Sequence, residues 1–521
     1  MVVNHEVDTD EGAPPNEIKL YKKRWILLAW FALIQTLSSY LFSSVGQVSN
    51  VYVAYFKVNH WQVDWASLTY ALGMCAAAPI MACLSYMKIM PLKKLSMFSA
   101  ITTVVSHTCF ILGSTTRSTF SLIVVGQLIN GFGAGALYTI RPSFAVHWFP
   151  DSEVGTAIGV SIAGIAIGGI MGFILSTAAF GAMSPQNHLL SKGSNFSMPN
   201  ITRKFSEIAV VHRSTESTGE AFTASTRFVV MNEEVWQNNV KRCFLMLYLP
   251  ALSLSVIVLI LMAMLMQDKP PSPPSRALVA HQRIETLETK PSMPEFFKST
   301  LKLFTNVTYM LAALIYGFVL RTVLVEYTMM SQIVAQMRSD LPASQADTIG
   351  GYVMVTLMAG YFVGSVVGGK VVDMWKRYRR VASISIAFTL ISTAGLLASY
   401  RLSSLVGLYV SNGLYGAFIF ITVITLHEIT TQSTFPLDAT FVSAWLTGIQ
   451  TSLGCILAEI GRGLFKLYAG TGVLSLQCSA MLVSLAISFA MKPQNRRLEM
   501  SEAEETQPFL NNDNFIRSNK P

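Results

Sequence analysis

An all-α membrane protein with 12 transmembrane helices, arranged as two halves of six, is the fold class this sequence predicts. Three observations carry that expectation. Apolar residues make up 52% of the 521 residues and charged residues only 13%, against roughly 25% charged in an average soluble chain. The apolar residues gather in runs of about 20, the length a bilayer demands of a helix that must pair its own backbone groups. A basic, proline-rich linker from Gln267 to about Lys302 divides these runs into two sets of six.

The elements follow in order. Residues 1–24 form a polar tail, acidic through Glu17 and basic from Lys19 to Arg24, with no cleaved signal peptide expected. Span one, near 25–50, then serves as the insertion signal. It is polar on several turns, and Gln35, Ser39 and Ser43 recur at four-residue spacing. Such a face either glues helices together or lines a wet cavity, and the spacing favours the cavity. Spans two to five lie near 62–86, 96–114, 119–141 and 153–176. His107 in span three reads as a core histidine. Gly131, Gly133 and Gly135 in span four echo a nucleotide loop, but inside a span they form a packing surface. Span five carries Gly155, Gly159, Gly164, Gly168, Gly169 and Gly172, a face that lets helices approach closely. A long polar stretch, about residues 177–240, is expected as an outer or lumenal loop; its sequons at Asn195 and Asn200 are candidate glycosylation sites. Span six, near 243–266, completes the first half, residues 25–266.

In the linker, residues 267–302, Pro270, Pro271, Pro273 and Pro274 make a stiff extended run, read as a spacer outside the membrane. The second half, residues 303–491, has spans near 307–330, 347–371, 381–399, 404–428, 438–463 and 471–491. Asn306 begins span seven within a sequon on the linker side, where it stays silent. Asp347 after Ser344 has the spacing of a capping box. His427 and Glu428 end span ten, and Glu428 is a candidate gate. Glu459 and Arg462 in span eleven are three apart and can pair on their own helix. The tail, residues 492–521, is polar and expected to be disordered.

Cations set the orientation. Lys88, Lys93, Lys94, the linker cations and the cluster from Lys376 to Arg380 fall on one side, whereas the short opposite loops hold about one cation each. Both termini and the linker are therefore expected to be cytoplasmic. The six cysteines read as small buried hydrophobes, without disulfide or metal-ligand spacing. No metal site, cofactor loop, nucleophile–base constellation or nucleic-acid stripe is visible, so neither an enzyme nor a nucleic-acid binder is expected.

Charge inside a span costs about 2.5–3.5 kcal/mol on insertion scales and needs a reason. Span seven holds Arg321 and Glu326. Five residues apart, they differ by about 140° around a helix and about 7.5 Å along it. Either each finds a partner on another helix, or the helix unwinds near Gly317 to Thr322 and lets them meet. A structural reading puts Glu326 at the outer headgroups with Arg321 snorkelling. A functional reading puts one or both beside a central cavity. There Glu326 would neutralise an organic cation or carry a coupling proton, and Arg321 would favour an anion.

The segment with Gly368, Gly369, Asp373, Arg377, Arg379 and Arg380 resembles the loop motif of the major facilitator superfamily. Asp373 and Arg377 match its conformational latch. The equivalent first-half loop keeps Lys88, Lys93 and Lys94 but lacks the aspartate, so no latch is expected there. Within the superfamily the chain is similar to the FLVCR-type transporters (feline leukaemia virus subgroup C receptor-related proteins). The basic approach from Lys19 to Trp25, Gly126, Gln127, Pro142, Trp148, Phe149, Thr156, Ala157, Glu428, Phe435 and Pro436 carry that resemblance. Residues Pro270 to Ala277 with Gln282 and Arg283 resemble the lysosomal disrupted-in-renal-carcinoma branch. Members of the family are transporters of choline, ethanolamine, haem or a B-vitamin. The choline-type cage uses a span-one tryptophan and a span-seven tyrosine, which here read Phe42 and Leu324; its glutamines read Ala166 and Thr451, with Gln450 adjacent. The cage is largely dismantled, while Arg321, Glu326 and Tyr327 are added nearby.

The resulting expectation is a monomeric secondary-active or facilitative carrier of a small polar or amphiphilic organic solute, working by alternating access without a cofactor. Proton coupling is one reading of Glu326. Phe42, Arg321, Glu326, Tyr327 and Gln450 are the candidate binding residues. The resemblance implies a plasma, endosomal or lysosomal membrane. The alternatives are a non-transporting receptor or sensor and a lipid-moving protein on the same fold.

Overall fold

The computed structural model describes residues 18–46, 48–180, 220–279, 291–341 and 343–500, without the side chains of His60, residues 220–233, Arg321, Thr328, Ala343 and Ser344. Asn195, Asn200, Gln47, Gln282, Arg283, Lys290 and the tail beyond residue 500 lie outside the described residues.

Before the linker run α1 (Lys23–Gly46), α2 (Ser49–Phe56), α3 (His60–Tyr86), α4 (Leu92–Gly113), α5 (Phe120–Trp148), α6 (Val154–Phe180) and α7 (Glu220–Leu265). After it come α8 (Met293–Thr305), α9 (Val307–Arg321), α10 (Val323–Met337), α11 (Ala343–Met374), α12 (Tyr378–Arg401), α13 (Leu405–Thr434) and α14 (Ala439–Ala490). Among the described residues, 11 helices are long and apolar enough to cross a membrane. The last is two limbs. A straight helix of 52 residues would run about 78 Å, more than twice a hydrocarbon core of about 30 Å. Ala469 breaks it at φ 57° and ψ −151°, and the next amide, Gly470 N–H, donates to Gln336 Oε1 at 3.1 Å. Twelve passes result, with both ends on the face that carries the linker. That face is the linker face below, and the opposite one the far face.

Caps and prolines follow local chemistry. Asn306 Oδ1 accepts from Tyr309 N–H and starts α9, Ser404 starts α13, and Asp438 Oδ1 accepts from Thr440 and Phe441 N–H at the head of α14. Pro79, Pro142 and Pro250 lie inside helices, where neighbouring helices can compensate the lost backbone bond. α7 turns Met246, Leu249, Ile257, Ile260 and Met264 outward, as a lipid-facing helix does.

Glycines decide the closest seams. A Cβ at Gly164 or Gly168 would collide with the carbonyls of Ala32 or Thr36 on α1. At Gly155 or Gly159 it would collide with Asp373, Gly369 or Ser365 on α11. α6 is thus pressed between α1 on its own side of the linker and α11 on the other. α3 packs on α14 in the corresponding way.

Several expectations shift. α5 continues to Trp148 and α13 to Thr434, beyond the hydropathic ends at 141 and 428, because Arg141, His427 and Glu428 are buried rather than solvated. Residues 220–240, expected as loop, are helical as the start of α7. The proline-rich run is docked rather than free: Ser272, Ser275, Ala277 and Leu278 are buried, and Tyr21 OH donates to Ser272 Oγ at 3.4 Å. The linker ends in amphipathic α8, which buries Phe296 and Leu303 and exposes Phe297 and Leu301. The first residues of the C-terminal tail are ordered, with a helical turn at 496–500 that buries Arg497, Leu498 and Met500.

Candidate functional site

The linker face is closed by polar contacts between the two sides. Asp373, at the end of α11, caps the N-terminus of α6: Oδ1 accepts from Gly155 N–H at 2.7 Å, and Oδ2 from Thr156 N–H at 2.7 Å and Thr156 Oγ1 at 2.6 Å. A carboxylate there meets free amides and the positive end of the helix dipole. Arg377 starts α12 with its side chain exposed. Glu428 lies 3.1 Å from Arg497, whose Nε lies 3.6 Å from Asp151 ahead of α6. The C-terminal turn therefore bridges both sides. Across the face, Ser85 Oγ at the end of α3 donates to Asp438 Oδ1 at 3.1 Å, and Tyr86 packs on Phe296 and Phe441. This seam too has a carboxylate contact, with its acid on α14 instead of on the loop.

The far face is held more lightly. Asn50 Nδ2 donates to Asp347 Oδ2 at 2.5 Å, so Asp347 reaches across the seam. Beside it is a cleft of about 380 Å³ lined by Gly46, Ser49, Asn50, Tyr327, Met330, Ser331, Gln332 and Asp347. Tyr327 leads inward to a cluster of rings. Phe42 stacks on Tyr70 at 4.4 Å between centroids and lies 5.3 Å from Tyr327, which is 5.5 Å from Phe173. Tyr138 joins the same apolar cluster, with Tyr70, Met74, Ala134 and Ile165. Phe42, at the family's span-one cage position, thus meets rings from other positions. Tyr327 stands one helical turn beyond Leu324, and Tyr70 and Tyr138 enter from α3 and α5.

Deeper lies a polar layer. Arg141 is 1% exposed, with its guanidinium 4.4 Å from the Tyr138 ring. None of its three nitrogens has a hydrogen-bond partner among the described residues. Arg141 sits seven residues before Trp148, and His427 seven before Thr434, so α5 and α13 bring them to one depth. They lie within electrostatic reach of each other. His427 Nε2 is 3.1 Å from Tyr316 OH, and Nδ1 has no partner. Gln450 is fully buried with both carboxamide atoms unpartnered among the described residues.

Glu326 faces another way. It is fully buried, and Oε1 accepts from Gln477 Nε2 on the second limb of α14 at 2.6 Å. The headgroup placement is overturned, and the partner on another helix is found. The helix is interrupted between α9 and α10 at Thr322, whose φ of −60° and ψ of −26° stay helical, so the expected unwinding does not occur there. Arg321 ends α9, and its side chain is outside the description. Ser39 Oγ donates to Ile165 O at 2.8 Å, so this residue of the polar α1 face binds α6. Glu459 and Arg462 pair at 2.9 Å. His107 is buried, with Nδ1 2.8 Å from Thr103 O. Among the described residues no group of three or more His, Cys, Asp or Glu could hold a metal ion.

Arg141, Tyr138, Tyr70 and Arg497 escaped the sequence reading. Arg141 was legible only as a charge three residues after Tyr138, on the same helical face.

Twelve passes with contacts across both linker-face seams define a two-sided helical bundle of the major facilitator type. Residues 26–187 match the family model of the Major Facilitator Superfamily. Human choline/ethanolamine transporter FLVCR2 is 21% identical over 450 residues, covering 86% of this chain and 72% of that one. Zebrafish (Danio rerio) choline/ethanolamine transporter flvcr2b is also 21% identical, covering 97% and 91%. The Escherichia coli fucose:proton symporter FucP superposes with a TM-score of 0.56 at 15% identity, covering 91% of this chain and 100% of that one. A bacterial homologue of the human lysosomal transporter Spinster, inward-facing and unoccupied, gives 0.51 at 13%, covering 94% and 99%. These two likenesses show the fold alone. The family match and the two relatives support a transporter of the major facilitator type, similar to the FLVCR-type proteins.

Proposed function

We propose that this transporter carries a small organic amine by alternating access, holding it against the rings of Phe42, Tyr70 and Tyr327 between residues 25–266 and 303–491. The observation that carries this reading is the ring cluster of Phe42, Tyr70 and Tyr327, whose Tyr327 also lines the far-face cleft. Aromatic faces attract ammonium groups by about 0.5–2 kcal/mol each when desolvated. The names of the human and zebrafish relatives, choline/ethanolamine transporters, support the same class.

The cation-rich linker face is read as cytoplasmic, in a plasma or endosomal/lysosomal membrane, and the working unit as one chain. Glu326 is read as the group for proton coupling, because its buried carboxylate has one hydrogen-bond partner among the described residues, the neutral carboxamide of Gln477. Asp373 and Glu428 are read as gating residues. Arg377, exposed beside the cap, is read as holding the loop outside the seam.

The test is uptake of labelled choline and ethanolamine into proteoliposomes, with pyridoxine and haem as comparison substrates. Phe42→Ala and Tyr327→Ala are expected to lower amine uptake about tenfold or more, as loss of one or two cation–π contacts implies. Unchanged uptake in both variants refutes the ring site. Glu326→Gln is expected to abolish dependence on a proton gradient while leaving exchange down a substrate gradient.

A further inference from the structure

We infer that Arg141 is the docking point for an oxyanion on the substrate, a carboxylate or a phosphate monoester carried on the same molecule as the amine. The inference rests on the amine-transport reading and narrows its substrate class to zwitterions. Arg141 is more than nine-tenths buried, seven residues from the linker-face end of α5, on the face that also presents Tyr138 to the ring cluster. Its guanidinium has five N–H donors and no acceptor among the described residues. Stacking on Tyr138 at 4.4 Å offsets part of the charge but satisfies none of those donors. A planar fork of this kind is matched bidentately by a carboxylate or phosphate.

The surroundings point the same way. Among the described residues no carboxylate is paired with Arg141. Glu326 is turned to Gln477, Glu428 to Arg497, and Asp373 to the head of α6. His427, at the same depth on α13, leaves Nδ1 unpartnered, and Gln450 leaves both carboxamide atoms unpartnered. Orphaned buried polar atoms of this number are costly unless a ligand completes them. Tyr138 joins the two poles: its ring belongs to the cluster that includes Phe42 and Tyr70, and its face carries Arg141. A zwitterion would lie with its amine among the rings and its oxyanion on the guanidinium.

The experiment is isothermal titration of the full-length protein in lipid nanodiscs with choline, glycine betaine and phosphocholine. The three probes share one cationic head and differ in the oxyanion. The expected result is that glycine betaine or phosphocholine binds on the order of tenfold or more tightly than choline, the gain of a charge-assisted pair. Arg141→Gln should erase that preference and leave choline binding unchanged or tighter, while Arg141→Lys should retain part of it. The wild-type ranking needs no variant, so a poorly folded variant does not rescue the inference. Choline binding as tightly as both oxyanion probes overturns the inference alone and leaves the amine reading standing. A preference that survives Arg141→Gln in folded protein overturns it as well. Binding of none of the three overturns both.

Discussion

Replacing Asp373 by asparagine should open the linker face. The side chain accepts three hydrogen bonds, from Gly155 N–H, Thr156 N–H and Thr156 Oγ1, at 2.7, 2.7 and 2.6 Å. All three cross from α11 to α6, so they exist only while this face is closed. Asparagine is the same size but neutral, and its amide nitrogen cannot accept from Thr156 N–H. Hydrogen bonds to a charged group are worth about 1.5–3 kcal/mol, and the helix-end interaction adds about 0.3–1 kcal/mol. A loss of about 2–4 kcal/mol follows, which would take a closed-to-open ratio of about 99:1 to between roughly 3:1 and 1:7. Spin labels at exposed Lys94 and Lys376, with the six native cysteines replaced, report that ratio as a distance distribution by double electron–electron resonance. Asp373→Asn should add a longer-distance population, and Asp373→Ala should enlarge it. Distributions that match wild type in both variants would refute the latch.

Two further perturbations separate packing from gating. Gly168→Ala thrusts a methyl at Thr36 O within the α1–α6 seam, whereas Gly159→Ala thrusts one at Ser365 O across the α6–α11 seam. Overpacking costs about 1–3 kcal/mol in either place, so the first should lower the melting temperature and the second chiefly the closed population in the same resonance experiment. Arg497→Ala leaves Glu428 buried without its cation, a loss of about 3–5 kcal/mol for a broken buried pair; Glu428→Gln added to it should restore most of the thermal stability, and a lack of restoration would refute the pairing.

Much of this architecture was legible because a bilayer demands long apolar runs, and the limits lie where polarity is buried. Hydropathy ends span four at Arg141 and span ten at His427 and Glu428, since no window distinguishes a solvated charge from an enclosed one. The same blindness hid the Arg141 layer. Asp373 was readable from its glycine and arginine neighbours, yet its partners are backbone amides, which no sequence advertises. Ser85 and Asp438 are 353 residues apart and ordinary in their local settings, so only the fold joins them. Arg497 stands in a tail whose composition reads as disordered; burial against Glu428 and Asp151 orders it. Glu326 and Tyr327 illustrate a different limit. Adjacent positions differ by about 100° around a helix, and which one meets Phe42 and which meets Gln477 depends on how the α9–α10 pass is rotated.

The two carboxylate contacts across the linker face are unequal. Asp438 caps its own helix, α14, and loses only the Ser85 bond when the sides part. Asp373 caps a helix across the seam, so parting uncovers the amides of Gly155 and Thr156. Opening is therefore resisted mainly at α6. That helix holds α1 through Gly164, Gly168 and Gly172, and it carries Phe173 against Tyr327 near its other end. Gly155 and Phe173 are 18 residues apart on one helix, about 27 Å at 1.5 Å per residue. A rigid α6 packed this closely on α1 cannot leave Asp373 without shifting Phe173 and Phe42 relative to Tyr327. Release of the cap and rearrangement of the ring site are then one movement, which couples the linker-face gate to whatever the rings hold.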